Sequence, residues 1–221
     1  VVGMHVEVLA PGFIDMHTHN DFLLLGDGAG VSKLRQGVTT ILVGQCGISA
    51  APIRDERVSL LDAYTGFIRA GVTPEWNWRS FAEYLDVLDG LDLGLNVGSF
   101  VGHGTIRLNV LGFENRLPAP DELREMREMA RTALEEGAFG MTSGLIYPPG
   151  VYSTSEEIEE IARGLTERRG LYLSHMRNES SGVVESVRET IAVAERAGIP
   201  AQVLHHKATG RANHGKVRET L

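Results

Sequence analysis

Pro11-Gly12-Phe13-Ile14-Asp15-Met16-His17-Thr18-His19 is a short apolar run that ends in two histidines. The run reads as a β-strand over residues 13–17. On an extended chain, residues two apart point to the same face, so His17 and His19 project together. A bare H-x-H is a weak signal. Here it closes a strand preceded by Pro-Gly, and two imidazoles at a strand end make half of a metal site.

Working outward, the same alternation repeats. Short apolar runs occur at 39–44, 95–101, 138–146, 171–177 and 201–207, which with the first makes six strands. Helices fall between them. Ser80 with Glu83, and Thr154 with Glu157, have capping-box spacing. Pro120 suits a helix first turn, and Leu123, Met126, Ala130, Ala133 and Leu134 follow on one face. Val184, Val187, Ile191 and Ala194 mark a last helix, which Gly198 and Pro200 end. Repeated strand–helix units imply a parallel sheet, either open and doubly wound or closed as a (β/α)₈ barrel.

Polar residues at the strand ends choose between these. Histidine or cysteine stands at or just past the end of five of the six strands: His17/His19, Cys46, His103, His175 and His205/His206. Such groups converge on one point only if the strand ends form a ring, as on the active face of a barrel. In a flat sheet they would lie in a row at about 4.8 Å per strand. The expected fold is therefore α/β, an incomplete TIM-type (β/α) barrel with about six of eight units over 11–221. Residues 1–10 read as a remnant strand of a small β-sandwich.

Composition narrows the partners. The chain has 221 residues, 43% of them hydrophobic, enough for a sizeable core. A net charge of −8 argues against nucleic acid. No apolar run is long enough to span a bilayer and no secretory leader is evident, which points to a cytoplasmic protein without a membrane partner. The one cysteine, Cys46, excludes an intrachain disulfide framework and leaves a buried hydrophobe or a metal-binding thiolate.

Taken together, several blocks resemble the N-acyl-D-amino-acid deacylases (D-aminoacylases) of the amidohydrolase superfamily. They are the first-strand motif, Gly37-Val38-Thr39-Thr40 through Gly44-Gln45-Cys46-Gly47, Gly102-His103-Gly104-Thr105-Ile106-Arg107, Ser143 to Gly150, Ser174-His175-Met176-Arg177-Asn178-Glu179 and His205-His206-Lys207. The resemblance runs from about Pro11 to the end. It implies zinc-dependent hydrolysis of the amide bond of an N-acyl-D-amino acid, a small-molecule partner. Many amidohydrolases carry a bridging carboxylated lysine at the fourth strand; here the lysines are Lys33, Lys207 and Lys216, none of them in that region. The family pattern gives the metal role to Cys46 instead.

The implied tight zinc site is Cys46, His175 and His205, with His17 and His19 as a second, weaker position. His206, next to His205, is expected to turn away. Tyr147 is implied as a hydrogen-bond donor to the scissile carbonyl. Arg177 is a candidate for binding a substrate carboxylate, with pairing to Glu179 or another structural partner as the alternative. Lys207 is a candidate for meeting an acidic substrate side chain, with a structural role as the alternative. His103, between glycines in the loop after the third strand, is a candidate for support. The family's general base, an aspartate at the end of strand eight, has no counterpart here, so the chain reads as a fragment inactive alone. Two alternatives stand beside this reading: a cyclic amidase of the dihydroorotase or hydantoinase type, and a catalytically dead metal-binding remnant.

Overall fold

The computed structural model describes residues 10–221. The expected β-sandwich remnant thus lies, but for Ala10, outside the described residues. In chain order the strands are β1 (Phe13–Asp15), β2 (Val38–Val43), β3 (Asn96–Ser99), β4 (Val101–Gly102), β5 (Gly140–Gly144), β6 (Leu171–His175) and β7 (Ala201–Val203). The helices are α1 (Leu23–Gly26), α2 (Val31–Leu34), α3 (Val58–Thr65), α4 (Phe81–Asp89), α5 (His103–Leu111), α6 (Pro120–Glu135), α7 (Ser155–Ala162) and α8 (Val183–Ala197). Among them, none is long and apolar enough to cross a membrane.

All pairings are parallel, in the order β1-β2-β3 and β4-β5-β6-β7. The strand expected at 95–101 is broken in two. β3 pairs with β2 and β4 with β5; between them the Phe100 amide turns to the Val43 carbonyl at 3.0 Å. Counted as one broken strand, β3/β4 makes the sixth member of an arc whose spatial order follows chain order without reversal. A doubly wound sheet reverses its order at a switch point, and this arc does not.

The arc is strongly curved. Ile14 of β1, Leu42 of β2, Val97 of β3 and Leu171 of β6 line one apolar cavity of about 360 Å³, together with Phe100 and Phe139. In a flat sheet β1 and β7 would be roughly 24 Å apart. Instead the rings of His17, after β1, and His205, after β7, lie 5.1 Å apart between centroids. Among the described residues β1 and β7 do not pair, so the arc is not closed.

Helix signals met different fates. The Ser80–Glu83 capping box forms in full. At α7 Thr154 accepts the Glu157 amide, but the Glu157 carboxylate does not return to the cap. It reaches inward to His103 Nε2 at 2.9 Å and Arg107 at 2.7 Å. His103, expected in the loop after the third strand, starts α5 instead, and both His103 and Arg107 have zero exposure. The glycines around His103 serve close approach rather than a loop: a Cβ at Gly102 or Gly104 would meet the Gly47 carbonyl at 2.5 or 2.7 Å. α8 ends at Gly198 in the left-handed region, as expected. Ile191, expected on its apolar face, is half exposed over a groove between α8 and β7.

Glu157 therefore neutralises a buried guanidinium. Its loss would strand that charge in the core, at a cost of several kcal/mol. Glu157→Ala is expected to lower the unfolding free energy by about 3 kcal/mol or more, read from the urea midpoint. A change within about 0.5 kcal/mol would show that the buried network contributes nothing.

Candidate metal centre

Cys46 sits in a turn immediately after β2, within a segment (41–50) that is buried throughout. It occupies the left-handed region, with φ 54°, which costs a non-glycine residue about 1–2 kcal/mol. Four polar contacts hold it there. The Asp21 carboxylate accepts the Gly44 amide proton at 2.8 Å. The Thr142 hydroxyl of β5 donates to the Gly44 carbonyl at 2.6 Å and accepts from the Gly47 amide at 2.9 Å. The Tyr147 hydroxyl donates to the Cys46 carbonyl.

This conformation aims the sulfur at three imidazoles. Sγ lies 3.3 Å from His17 Nε2, 3.4 Å from His175 Nδ1 and 3.6 Å from His205 Nε2. His205 Nε2 and His175 Nδ1 are 3.1 Å apart. Two donor triplets result: Cys46/His175/His205 and Cys46/His17/His19, each with all donor atoms within 4.8 Å. A tetrahedral zinc with Zn–S of about 2.3 Å and Zn–N of about 2.0–2.1 Å sets its ligands about 3.6 Å apart for S···N and about 3.3 Å for N···N. The first triplet has edges of 3.4, 3.6 and 3.1 Å, so its donor set and spacing fit that ion.

The supports differ from those expected. β7 ends at Val203, and His205 lies beyond it at φ 33°, so strand alternation does not orient it. The expected outcome still holds: His206 turns away to the Thr220 hydroxyl at 2.9 Å. His103 is no neighbour of the cluster's donor atoms but part of the buried Glu157 network. The Arg177 guanidinium is engaged by Glu189 at 2.9–3.2 Å and by the Val151 carbonyl at 3.3 Å, the structural pairing. Lys207 is close, its ammonium 3.0 Å from His205 Nδ1. The Tyr147 ring meets His175 edge-on at 5.4 Å. Lys33 is paired to Asp15 at 2.6 Å and is not among the donors.

Glu189, rather than the Glu179 named from sequence, pairs with Arg177; Glu179 stands at the cluster, a part the sequence reading did not give it. Its carboxylate oxygen lies 2.5 Å from Lys207 Nζ and 3.0 Å from His205 Nδ1. Glu179 stands four residues after His175, and that spacing on a turn was the available signal.

Burial governs the protonation states. It lowers His17 to about 4, helped by His19, His205 and His175. Burial likewise lowers His19, His175 and His205. All four imidazoles are neutral near pH 7, the form that ligates. Burial pushes the Cys46 thiol up to about 12 and the Tyr147 phenol well above its ordinary range. Asp21, with zero exposure, is raised to about 7 by the same cause.

These features define a candidate nitrogen- and sulfur-donor metal centre at the convergent strand ends of a parallel α/β arc. The chain belongs to the amidohydrolase family, whose model matches residues 7–214. It is 38% identical to the D-aminoacylase of Alcaligenes xylosoxydans xylosoxydans over 218 residues, 97% of this chain and 43% of the relative. The N-acyl-D-glutamate deacylase of the same organism is 36% identical over 215 residues, again 97% and 43%. A D-aminoacylase crystal structure superposes with a TM-score of 0.83 at 36% identity, covering 95% of this chain and 43% of that one. The N-acyl-D-glutamate deacylase of Bordetella bronchiseptica, complexed with zinc and a phosphonate mimic of the tetrahedral intermediate, gives the same values. The chain thus spans less than half the length of these relatives.

Because His17 and His175 titrate below 6.5 when folded, the metal-free unfolded chain binds more protons between about pH 4 and 6.5. Their contribution to stability is complete above pH 6.5 and is lost as pH falls toward 4. The denaturation midpoint of the metal-free chain is expected to drop across that window, and less steeply in His17→Gln. A profile identical in the two proteins would refute the assignment.

Proposed function

We propose that these residues form the metal-binding part of a zinc-dependent hydrolase that cleaves N-acyl-D-amino acids to a carboxylate and a free D-amino acid. The carrying observation is the Cys46–His175–His205 triangle, whose edges match a tetrahedral zinc. The fold in this reading is an incomplete (β/α) barrel, about six of eight units. The unreversed strand order, the curvature and the unpaired edges of β1 and β7 support it. Similarity to D-aminoacylases and to acidic N-acyl-D-amino-acid deacylases supports the substrate class.

Three protein ligands leave a fourth position open to water or substrate. Zinc held there would supply Lewis-acid polarisation of the amide carbonyl and acidify a water. His17 and His19 share Cys46 as the donors of a second, weaker position. A related D-aminoacylase is described with a binuclear centre, activated by one metal and attenuated by the second.

The chain's own groups divide the remaining work. Cys46, His175 and His205 present neutral or thiol donors from three different strand ends. Lys207 places an ammonium beside His205, where a substrate carboxylate can pair with it. Arg177, two residues after His175, is taken up by Glu189 and has a structural part. Tyr147 donates to the Cys46 carbonyl, and giving that proton to a developing oxyanion means exchanging one acceptor for another. A proton acceptor for the attacking water is still required. Neither nearby aspartate is free: Asp15 pairs with Lys33, and Asp21 is buried on the Gly44 amide. The base is therefore assigned to the part of the protein that completes the ring.

Two measurements check this. The 221-residue chain should bind zinc without turnover, and the chain joined to the completing strands should release D-amino acids from N-acetyl-D-amino acids, not from L-isomers or hydantoins. Zinc-dependent turnover by the 221 residues alone would defeat the incompleteness, and preference for hydantoins would defeat the substrate class. Within the site, Cys46→Ala should lose more bound zinc than His17→Ala; the reverse ranking would make the histidine pair the tighter position.

A further inference from the structure

We infer that Glu179 is a positioning residue that sets which ring nitrogen of His205 carries the proton, and thereby builds the metal triangle; the inference rests on the metal-centre reading above. Glu179 is only 8% exposed. One carboxylate oxygen, Oε1, lies 3.0 Å from His205 Nδ1, 2.5 Å from Lys207 Nζ and 3.7 Å from His175 Nε2. It stands behind both histidines, on the side of each ring away from Cys46.

The chemistry of that contact has one solution. A carboxylate only accepts hydrogen bonds, so His205 Nδ1 must carry the proton to face it at 3.0 Å. Nε2 then keeps its lone pair, and Nε2 is the atom directed at Cys46 Sγ and His175 Nδ1. The rival arrangement, in which Lys207 Nζ donates to His205 Nδ1 at 3.0 Å, would put the proton on Nε2 and block ligation. Lys207 has Glu179 at 2.5 Å as its shorter partner, and the carboxylate decides the outcome. Ligating histidines commonly donate the other ring N–H to a carboxylate, which fixes tautomer and orientation.

Glu179 is itself held on both flanks. Its carbonyl accepts the Thr209 amide at 2.5 Å, tying the turn after β6 to the segment after β7. Asn178 before it accepts from the Ser180 amide and hydroxyl and from the Gly182 amide at 2.8–3.1 Å. The Asn178 amide in turn donates to the Ser186 hydroxyl of α8 at 3.0 Å. The carboxylate is thus fixed relative to His175 and His205, which come from different strand ends. His205, at φ 33° and past its strand, has no regular structure of its own to orient it.

The test titrates the full chain with Zn²⁺ against a competing chelator and with Co²⁺, reading the thiolate-to-cobalt charge-transfer band. Glu179→Ala should weaken zinc binding roughly 10–100-fold, while Glu179→Gln, whose amide oxygen still accepts from Nδ1, should recover most of that loss. Two-bond ¹⁵N–¹H spectra of the metal-free wild type should show His205 protonated at Nδ1, a readout that does not depend on any variant folding. His205 protonated at Nε2, or Glu179→Ala binding zinc within about threefold of wild type while Cys46→Ala loses it, would overturn the inference and leave the metal centre standing. Glu179→Gln as weak as Glu179→Ala would overturn the acceptor role as well. Full zinc binding by Cys46→Ala would overturn the metal-centre reading itself.

Discussion

The Thr142 hydroxyl donates to the Gly44 carbonyl and accepts from the Gly47 amide, and the turn between those glycines carries the one cysteine of the chain. This turn is packed at backbone distance. A Cβ at Gly44 would lie 2.0 Å from the Phe100 carbonyl, and one at Gly47 2.6 Å from the Gly144 amide nitrogen. Both glycines also sit at positive φ, near 77° and 78°. The ends of β2, β4 and β5 can therefore approach so closely only where side chains are missing. The hydroxyl and the Asp21 carboxylate replace the backbone pairing that regular strand structure can no longer supply. Their hydrogen bonds offset the left-handed strain at Cys46, which persists because its surroundings over-determine it.

That constraint explains the electrostatics of the site. A sulfur fixed under the strand ends is desolvated, so its thiol resists ionisation; imidazoles crowded around it resist protonation for the same reason. The metal-free cluster is thus neutral around a buried sulfur, with His205 on its exposed side and the Glu179–Lys207 pair beside it. A divalent cation reverses the preference at the sulfur, because a thiolate beside a metal is stabilised by the metal's charge. Binding would therefore release the Cys46 proton, and affinity would rise with pH.

Much of the arc was legible from sequence, because strand runs and helix caps are local signals. Phe13, Val38 and Leu171 start strands within one residue of expectation, and Ser80 and Pro120 start helices where their chemistry demands. The misreadings share one cause: a local cue overruled by a distant partner. Gly102 and Gly104 imitate a loop, yet they are small because the Gly47 carbonyl lies against them, and α5 begins there. Glu157 has capping-box spacing, yet buried Arg107 fifty residues away claims its carboxylate. Residues 95–101 read as one strand, yet the chain kinks at Phe100 so that one half serves β2 and the other β5. The candidate donor residues were named mainly through resemblance. The orientation of His205 and the part played by Glu179 were not, since both arise beyond regular structure.

The histidine pair that ends the first strand takes a different place once the sulfur is located. His17 Nε2 is 3.3 Å from Cys46 Sγ, slightly closer than either histidine of the other triplet. The two triplets are therefore not independent sites that happen to be neighbours; they have one donor in common. Whatever draws charge from that sulfur on one side weakens it as a donor on the other. Glu179 stands only behind His175 and His205, so the carboxylate support is unequal even though the distances are nearly equal. On the opposite side, the buried Nδ1 atoms of His17 and His19 have no hydrogen-bond partner. In the proposed reading, the difference between a stronger and a weaker metal position would thus reside in what lies behind the ligands, since His17, His175 and His205 stand at nearly the same distance from the shared sulfur.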